Sequence, residues 1–281
     1  MAYVVSTINL KGGVGKTHTT VALAEVFSSD RHKKVLVIDL DPQTNATTML
    51  IGEQAWKQLN QNGHTLAQLF KDALDPDNAK FDLQKTLQKK VSDVRSATSV
   101  DLLPSSLDLI DVQDRLASIP SGRFFEANPI EILRRAVRPV LDDYDLVLID
   151  CPPNLGIITL NGLRISAGYI IPTIPDILST YGIPQIVNRV GEFSRRIGEP
   201  IEALGILISK FRAQSTVHLN TVRQLRQEID APCFKTVIPL ANDIAEAAEF
   251  EAGQRTLKQK YGYRGEPELY LALADEIWAK L

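Results

Sequence analysis

The sequence predicts an α/β fold of the doubly wound type, with a mostly parallel sheet and helices on both faces. Short, nearly continuous apolar runs recur along the 281 residues, as expected for strands that are buried on both sides. Helical patterns separate these runs, which suits crossover connections between parallel strands. Glycine-rich or acidic segments follow three of the runs, at the strand ends where such sheets bind ligands.

Seven apolar runs predict the strands of the sheet. The runs are residues 2–8, 35–38, 101–103, 146–149, 169–171, 204–208 and 234–238. Residues 53–98 are less regular and contain turn signals such as Asn62-Gly63, so we expect an irregular helical insertion there. No Pro/Gly/Ser-rich linker divides the chain, which favours one domain over residues 1–281.

Composition and charge limit the classes of function. Lys and Arg number 31 against 34 Asp and Glu, a net charge of -3, so any nucleic-acid contact must come from a local patch. The two cysteines, Cys151 and Cys233, cannot build a disulfide framework or a CxxC metal site. No apolar run approaches the roughly 20 residues of a membrane span, and the first strand leaves no room for a signal peptide. We expect a cytoplasmic protein.

A glycine-rich segment links the first strand to a helical pattern. It reads Asn9, Leu10, Lys11, Gly12, Gly13, Val14, Gly15, Lys16, Thr17 and His18. The glycines allow a tight turn whose N–H groups surround phosphate, and the helix N-terminus adds positive charge. Lys16 would reach the β- and γ-phosphates and Thr17 would ligate Mg²⁺, which predicts a P-loop NTPase. Because Leu10 stands where the generic motif has Gly, a glycine-rich turn with an incidental Gly-Lys-Thr is the alternative.

Two aspartates, Asp39 and Asp41, follow the second run and point to the same side of the sheet. A nucleotide hydrolase needs a carboxylate near Mg²⁺ and a group that orients water at the γ-phosphate. The alternative is an Asp-Pro turn that ends a strand, which explains Pro42 but not the pair of carboxylates.

The fourth run ends in Asp150, followed by Cys151, Pro152 and Pro153, and has the form of a Walker B strand. Asp150 would hold Mg²⁺ through a water, and the prolines would stiffen the loop near the γ-phosphate. An acid at the end of a core strand is common, and the order of the three motifs is the stronger signal. We interpret Cys151 as a packed thiol.

Lys11 has no role in the ordinary phosphate loop. With the glycines and Lys16 it resembles the deviant Walker A motif, KGGxGK[ST], of the ParA/MinD family, and residues 39–43 resemble that family's DxDPQ motif. The resemblance implies ATP and Mg²⁺ as cofactors and a homodimer in which Lys11 reaches the partner's ATP phosphates. It assigns Asp41 to the attacking water and Asp39 to the surroundings of the metal. The alternative for Lys11 is a solvated loop lysine.

The resemblance extends almost to the end of the chain. Residues 102–107, 235–239 and 270–277 are similar to the family's central segment, its late strand and its final helix. The late strand implies that Pro239 lies near the adenine. His18 stands where Thr is usual, and residues 240–243 depart from the family's frequent Arg-Asn. The resemblance is to the ParA branch without an N-terminal helix-turn-helix.

Residues 203–227 contain no Asp or Glu and carry Lys210, Arg212, Arg223 and Arg226. Arg223 and Arg226 share a helix face, and the apolar face is predicted from Leu219, Val222, Leu225 and Ile229. Only a dimer would collect enough charge to hold DNA without reading its sequence. The resemblance places Arg212 and Lys235 where the family's DNA-contacting residues lie. The alternative is a solvated helix face.

The leading hypothesis is therefore a ParA-type partition or positioning ATPase on nucleoid DNA. An adaptor or centromere-binding protein would stimulate its slow hydrolysis, and the cargo would be a plasmid, a chromosome or an assembly such as a carboxysome. One alternative is an ATP-dependent amide ligase of the cobyrinic acid diamide synthase type. The other is a MinD-like membrane-positioning ATPase, which the acidic C-terminal helix disfavours because anionic lipid repels it.

Overall fold

The strands and helices of the sequence prediction form one sheet with a helical layer on each face. The computed structural model describes residues 2–118, 128–176, 181–227, 231–253 and 255–281. Its strands are β1 (Tyr3–Thr7), β2 (Val35–Asp39), β3 (Val100–Leu103), β4 (Leu146–Asp150), β5 (Gly168–Thr173), β6 (Glu202–Phe211) and β7 (Cys233–Pro239). Its helices are α1 (Lys16–Arg31), α2 (Asn45–Gln61), α3 (Leu66–Leu74), α4 (Leu83–Thr86), α5 (Leu109–Ala117), α6 (Ile132–Leu141), α7 (Ile157–Ile165), α8 (Gly182–Ile197), α9 (Thr216–Leu225), α10 (Asn242–Glu246), α11 (Leu257–Tyr261) and α12 (Glu266–Trp278).

The seven strands lie in the order β3-β2-β4-β1-β5-β6-β7, and every strand pair is parallel. The sheet is therefore parallel throughout, and the predicted fold class is confirmed. Because all strands point the same way, the segments after β1, β2 and β4 meet at one edge of the sheet. This carboxyl edge brings together the three motifs that are far apart in sequence.

Two apolar layers explain why the strands lack an alternating pattern. Along β2, Leu36 and Ile38 pack into one cluster and Val35 and Val37 into the other, all fully buried. Helices α3 and α5–α9 cover the first cluster, whereas α1, α2 and α10–α12 cover the second. A strand buried on both faces needs apolar side chains at every position.

Helix α12 packs on the body of the protein, as its acidic sequence predicts. The Trp278 ring lies 5.8 Å from the ring of Phe27 in α1, and Arg31 pairs with Asp275 at 2.7 Å. Among the described residues, no helix has the length and apolar character that a membrane span requires.

The segment at residues 53–98, which begins within α2, is tied to the C-terminal part of the chain by a buried group of charges. Lys260 of α11 donates to Glu25 of α1 at 2.6 Å and to Asp93 at 2.7 Å, and both side chains of the first pair are fully buried. The Tyr261 hydroxyl donates to the other Glu25 oxygen at 2.6 Å, and Arg255 donates to Asp93. This buried ion cluster joins α1, the loop at Asp93 and α11.

Candidate functional site

The phosphate loop has the backbone shape that its glycines predict. Gly13 and Gly15 adopt φ values of 73° and 89°, in the left-handed region that favours glycine. Helix α1 begins at Lys16, and its N-cap residue, Gly15, provides no side-chain cap. The first N–H groups of α1 therefore remain available for an anion beyond the helix N-terminus.

Asn9 fixes the start of the loop. Its side-chain amide donates to the Pro172 carbonyl of β5 at 2.8 Å, and its oxygen accepts from the Lys11 N–H at 2.9 Å. The ammonium of Lys16 is buried and donates to the carbonyls of Asn9 at 3.3 Å and Lys11 at 3.2 Å. Burial lowers the pKa of Lys16, and the charges of Asp150 and Asp41 oppose that shift. The lysine thus lies folded back over its own loop and next to the acidic groups.

Asp150 is the least satisfied polar group of this edge. It is fully buried, and neither carboxylate oxygen accepts a well-formed hydrogen bond from the described residues. Burial raises its pKa well above the usual value, neighbouring Asp39 adds to the rise, and the nearby Thr17 hydroxyl opposes it. A buried carboxylate without a partner is costly, so a ligand or ion is expected there.

Asp39 lies next to Asp150, since the two residues are register partners on β2 and β4. Its oxygens already accept from protein donors: the Thr47 hydroxyl at 2.7 Å, the Thr47 N–H at 2.9 Å and the Asp41 N–H at 3.1 Å. Burial raises its pKa to about 7 despite these bonds. Asp39 therefore orders the loop and the start of α2, near the cation position but engaged with the protein.

Asp41 borders the cavity beside the phosphate loop and is 5% exposed. Its carboxylate accepts from the Gln43 N–H at 2.9 Å, and burial raises its pKa while Lys16 lowers it. The site fits Mg²⁺ through Asp150 and the Thr17 hydroxyl. Among the described residues, no group of three or more His, Cys, Asp or Glu could hold a metal unaided. A cation here would need phosphate and water ligands too, the usual arrangement for Mg²⁺.

A cavity of about 420 Å³ extends from the phosphate loop along the carboxyl edge. Its lining includes two sets of residues that lie three strands apart in the sheet, one after β1 and one at and after the end of β7. The first set is Gly12, Gly13, Gly15, Lys16, Thr17 and His18, and the second is Ile238, Pro239, Leu240, Ala241, Ile244, Ala245 and Ala248. Phosphate donors at one end and an apolar wall at the other suit a nucleotide. Burial lowers the pKa of His18 to about 4, so its ring is neutral at pH 7.

The structure brings together the predicted phosphate, metal and adenine residues, from Lys11 to His18 with Asp39, Asp41, Asp150 and Pro239. Lys11 lies at the exposed rim, where its ammonium pairs with Asp176 at 3.0 Å. Sequence reasoning missed Ser209, Ile244, Ala248 and Tyr270, which also border the cavity. They are small or apolar residues from separate elements, and no motif marks them.

The predicted DNA-contacting residues divide into two groups. In the first group, Arg223 is exposed on α9, Arg226 directly follows α9, and Lys235 is exposed on the edge strand β7. In the second group, Lys210 and Arg212 lie at the end of β6. Lys210 borders the nucleotide-sized cavity.

The predicted apolar face of α9 needs correction. Thr221, Val222 and Leu225 are buried, but Leu219 is 40% exposed because it lies at the border of that face, roughly 120° around the helix from Leu225. Ile229 lies outside the described residues.

Comparisons with known proteins identify the family of the chain. The family model described as "AAA domain" (AAA_31) matches residues 2–203. The chain is 29% identical over 279 residues to the sporulation initiation inhibitor protein Soj of Bacillus subtilis, covering 99% of both chains. It is also 29% identical to the chromosome-partitioning ATPase Soj of Thermus thermophilus, covering 99% of this chain and 96% of that one.

Among solved structures, the chain is similar to cobyrinic acid a,c-diamide synthase from Mycobacterium smegmatis with bound ADP and magnesium. The TM-score is 0.71 at 25% identity, covering 98% of this chain and 93% of the other. That neighbour therefore holds a nucleotide and Mg²⁺ on the same fold.

Proposed function

Because the chain belongs to the AAA_31 family and is of the ParA/MinD type, we propose that it is a ParA-type partition ATPase. One observation carries the proposal: two lysines of one phosphate loop, Lys11 and Lys16, lie on the same sheet edge as Asp41 and Asp150. The name of the Thermus thermophilus relative supports a role in partition.

Each group at this edge has a distinct task on bound ATP. The loop N–H groups and the start of α1 bind the phosphates, and Lys16 neutralises charge at the β- and γ-phosphates. Thr17 and Asp150 would hold Mg²⁺, which would supply positive charge to offset the negative charge of the phosphates. Asp41 orients the attacking water, and the apolar wall around Pro239 holds the adenine.

Lys11 links nucleotide binding to assembly. Its ammonium lies at the exposed rim, where a second subunit facing the site comes within reach. In the ATP-bound homodimer each Lys11 contacts the partner's phosphates, so the dimer forms only when the γ-phosphate is present.

The dimer then binds nucleoid DNA through Arg212, Arg223, Arg226 and Lys235 without reading its sequence. Two copies of this set face the same duplex, whereas a single subunit provides too few phosphate contacts at physiological salt. Hydrolysis, stimulated by an adaptor or centromere-binding protein, releases the DNA and moves the cargo.

Plasmid binding with ATP, with ADP and without nucleotide tests this function. We expect binding with ATP alone, a steep loss of affinity with salt, and no binding by Lys11→Ala although it still takes up ATP. Equal binding under all three conditions would contradict the proposal.

The cobyrinic acid a,c-diamide synthase neighbour favours a second candidate, an ATP-dependent amide ligase. A ligase uses ATP to activate a carboxylate, so its turnover would begin only when a carboxylate substrate and a nitrogen donor are supplied. ATP hydrolysis that depends on DNA and on an adaptor protein, with no small substrate, would exclude the ligase.

A further inference from the structure

We propose that Lys210 binds the α-phosphate of the nucleotide and does not contact DNA. The inference rests on the proposed function, because it requires the cavity to take ATP. Sequence reasoning placed Lys210 with Arg212, Arg223 and Arg226 in one basic stretch. The structure instead places Lys210 on the lining of the 420 Å³ cavity, together with the phosphate loop.

The end of β6 is attached to the phosphate loop directly before Lys210. The Ser209 hydroxyl donates to the Val14 carbonyl at 2.7 Å. A Cβ atom built on Gly15 would lie 3.7 Å from the Ser209 Cβ, so the two backbones approach closely. Lys210 therefore leaves the sheet beside the loop that cradles phosphate.

The backbone at Lys210 departs from a regular strand. Its φ is 50°, in the left-handed region, which costs about 1–2 kcal/mol for a residue with a Cβ. The β6–β7 register also shifts between Ile208 and Phe211, the interval that contains Lys210. Bulges of this kind re-aim a side chain and are common next to active sites. Strain and bulge together direct Lys210 away from the position that a regular strand would give it.

The location along the cavity identifies the part of the nucleotide that is bound. Lys210 is at the end of β6, and the strand order β1-β5-β6-β7 places this end between the phosphate loop, which follows β1, and the apolar wall, which begins at the end of β7. Lys16 and the partner subunit's copy of Lys11 contact the β- and γ-phosphates in the proposed complex. A cation between the phosphate loop and the apolar wall, such as Lys210, is placed to contact the α-phosphate. ATP and ADP both carry that group, so Lys210 contributes equally to binding of the two.

Calorimetric titration of ADP and of a non-hydrolysable ATP analogue tests the assignment. We expect Lys210→Met to weaken both nucleotides by a similar factor, about tenfold, because a charge-assisted hydrogen bond is lost. Lys210→Arg keeps the charge and should remain within about threefold of the wild type. Lys258→Met, the same change at a 58% exposed lysine outside the cavity lining, is the matched control and should leave both affinities unchanged.

A DNA titration at saturating nucleotide separates the two roles. The Lys210→Met protein should keep the wild-type slope of affinity against salt, whereas Arg212→Met should lower it, since each lost phosphate contact reduces that slope by about one.

Three results would overturn the assignment. The first is that a folded Lys210→Met protein keeps its affinity for both nucleotides. The second is that this variant loses affinity for the ATP analogue but not for ADP. The third is that its affinity for DNA falls less steeply with salt than that of the wild type. If the wild type bound neither nucleotide, the proposed function itself would fail, and the two failures are thereby distinguishable.

Discussion

The ammonium of Lys11 lies 3.0 Å from the carboxylate of Asp176, so the lysine assigned to the partner's nucleotide is paired within its own chain. Asp176 lies three residues after the end of β5, on the carboxyl edge. The side chains are 43% and 33% exposed, and a pair this exposed contributes about 0.2–1 kcal/mol. The phosphates of a second subunit's ATP can therefore displace Asp176 at little cost.

Removing the Asp176 charge should make assembly easier. We expect Asp176→Asn to reach half-maximal dimer at an ATP concentration lower by roughly two- to fivefold, because the competing ion pair is lost. Light scattering during size-exclusion chromatography over an ATP series measures the change. Lys11→Ala should remain a monomer at every concentration. Weaker dimerisation of Asp176→Asn would mean that Asp176 stabilises the assembled interface.

Asp41 should matter for turnover and not for binding. Asp41→Ala is expected to lower kcat by roughly 10²–10³-fold, because the attacking water loses its orienting carboxylate. Its dissociation constant for ATP should stay within about twofold. Phosphate release and calorimetry provide the two values, and Asp77→Ala at an exposed turn is the control. A parallel loss of ATP affinity would assign Asp41 to nucleotide binding.

Asp150 should determine the response to Mg²⁺. For the wild type we expect Mg²⁺ to raise the melting temperature in ADP by about 3 °C if it strengthens ADP binding tenfold. Asp150→Asn should show no such rise in melting temperature, because the substitution removes the negative charge and one of the two oxygens that would hold the ion. Asp145→Asn, directly before the same strand, should respond like the wild type. An undiminished response in Asp150→Asn would move the metal to other residues.

The buried ion cluster gives a prediction on stability. Lys260→Met should lower the free energy of unfolding by about 3–5 kcal/mol, because Glu25 would keep a buried charge without a cation and Asp93 would retain only Arg255. Urea denaturation followed by circular dichroism measures the loss. Lys258→Met, on the same helix but with a 58% exposed side chain, should change stability by less than about 1 kcal/mol. Equal effects of the two substitutions would contradict this role for the cluster.

The sequence predicted the strands and the tight glycine turn after β1 because their signals are local. Continuous apolar runs, glycines at fixed spacing and acids at strand ends each depend on a few neighbouring residues. The apolar wall of the cavity combines Ile244, Ala248 and Tyr270 from separate elements, and such residues resemble ordinary core in sequence.

Charge patterning was a weaker guide. It grouped Lys210 with the arginines of α9, although a register shift in β6 directs Lys210 to the cavity. Charge patterning also did not indicate a role for Asp176. This residue pairs with Lys11, which is 165 positions away in the sequence.

The strand order has a consequence for synthesis on the ribosome. β1 emerges first, yet its two neighbours in the sheet are β4 and β5, which end at Asp150 and Thr173. At about 5–20 residues per second, the nascent β1 waits roughly 10–30 s for its first partner. During that interval the apolar side chains of β1 are exposed, and the phosphate loop has no neighbouring strands to pack against. Chaperone dependence in the cell should therefore arise while the first half of the polypeptide is being translated.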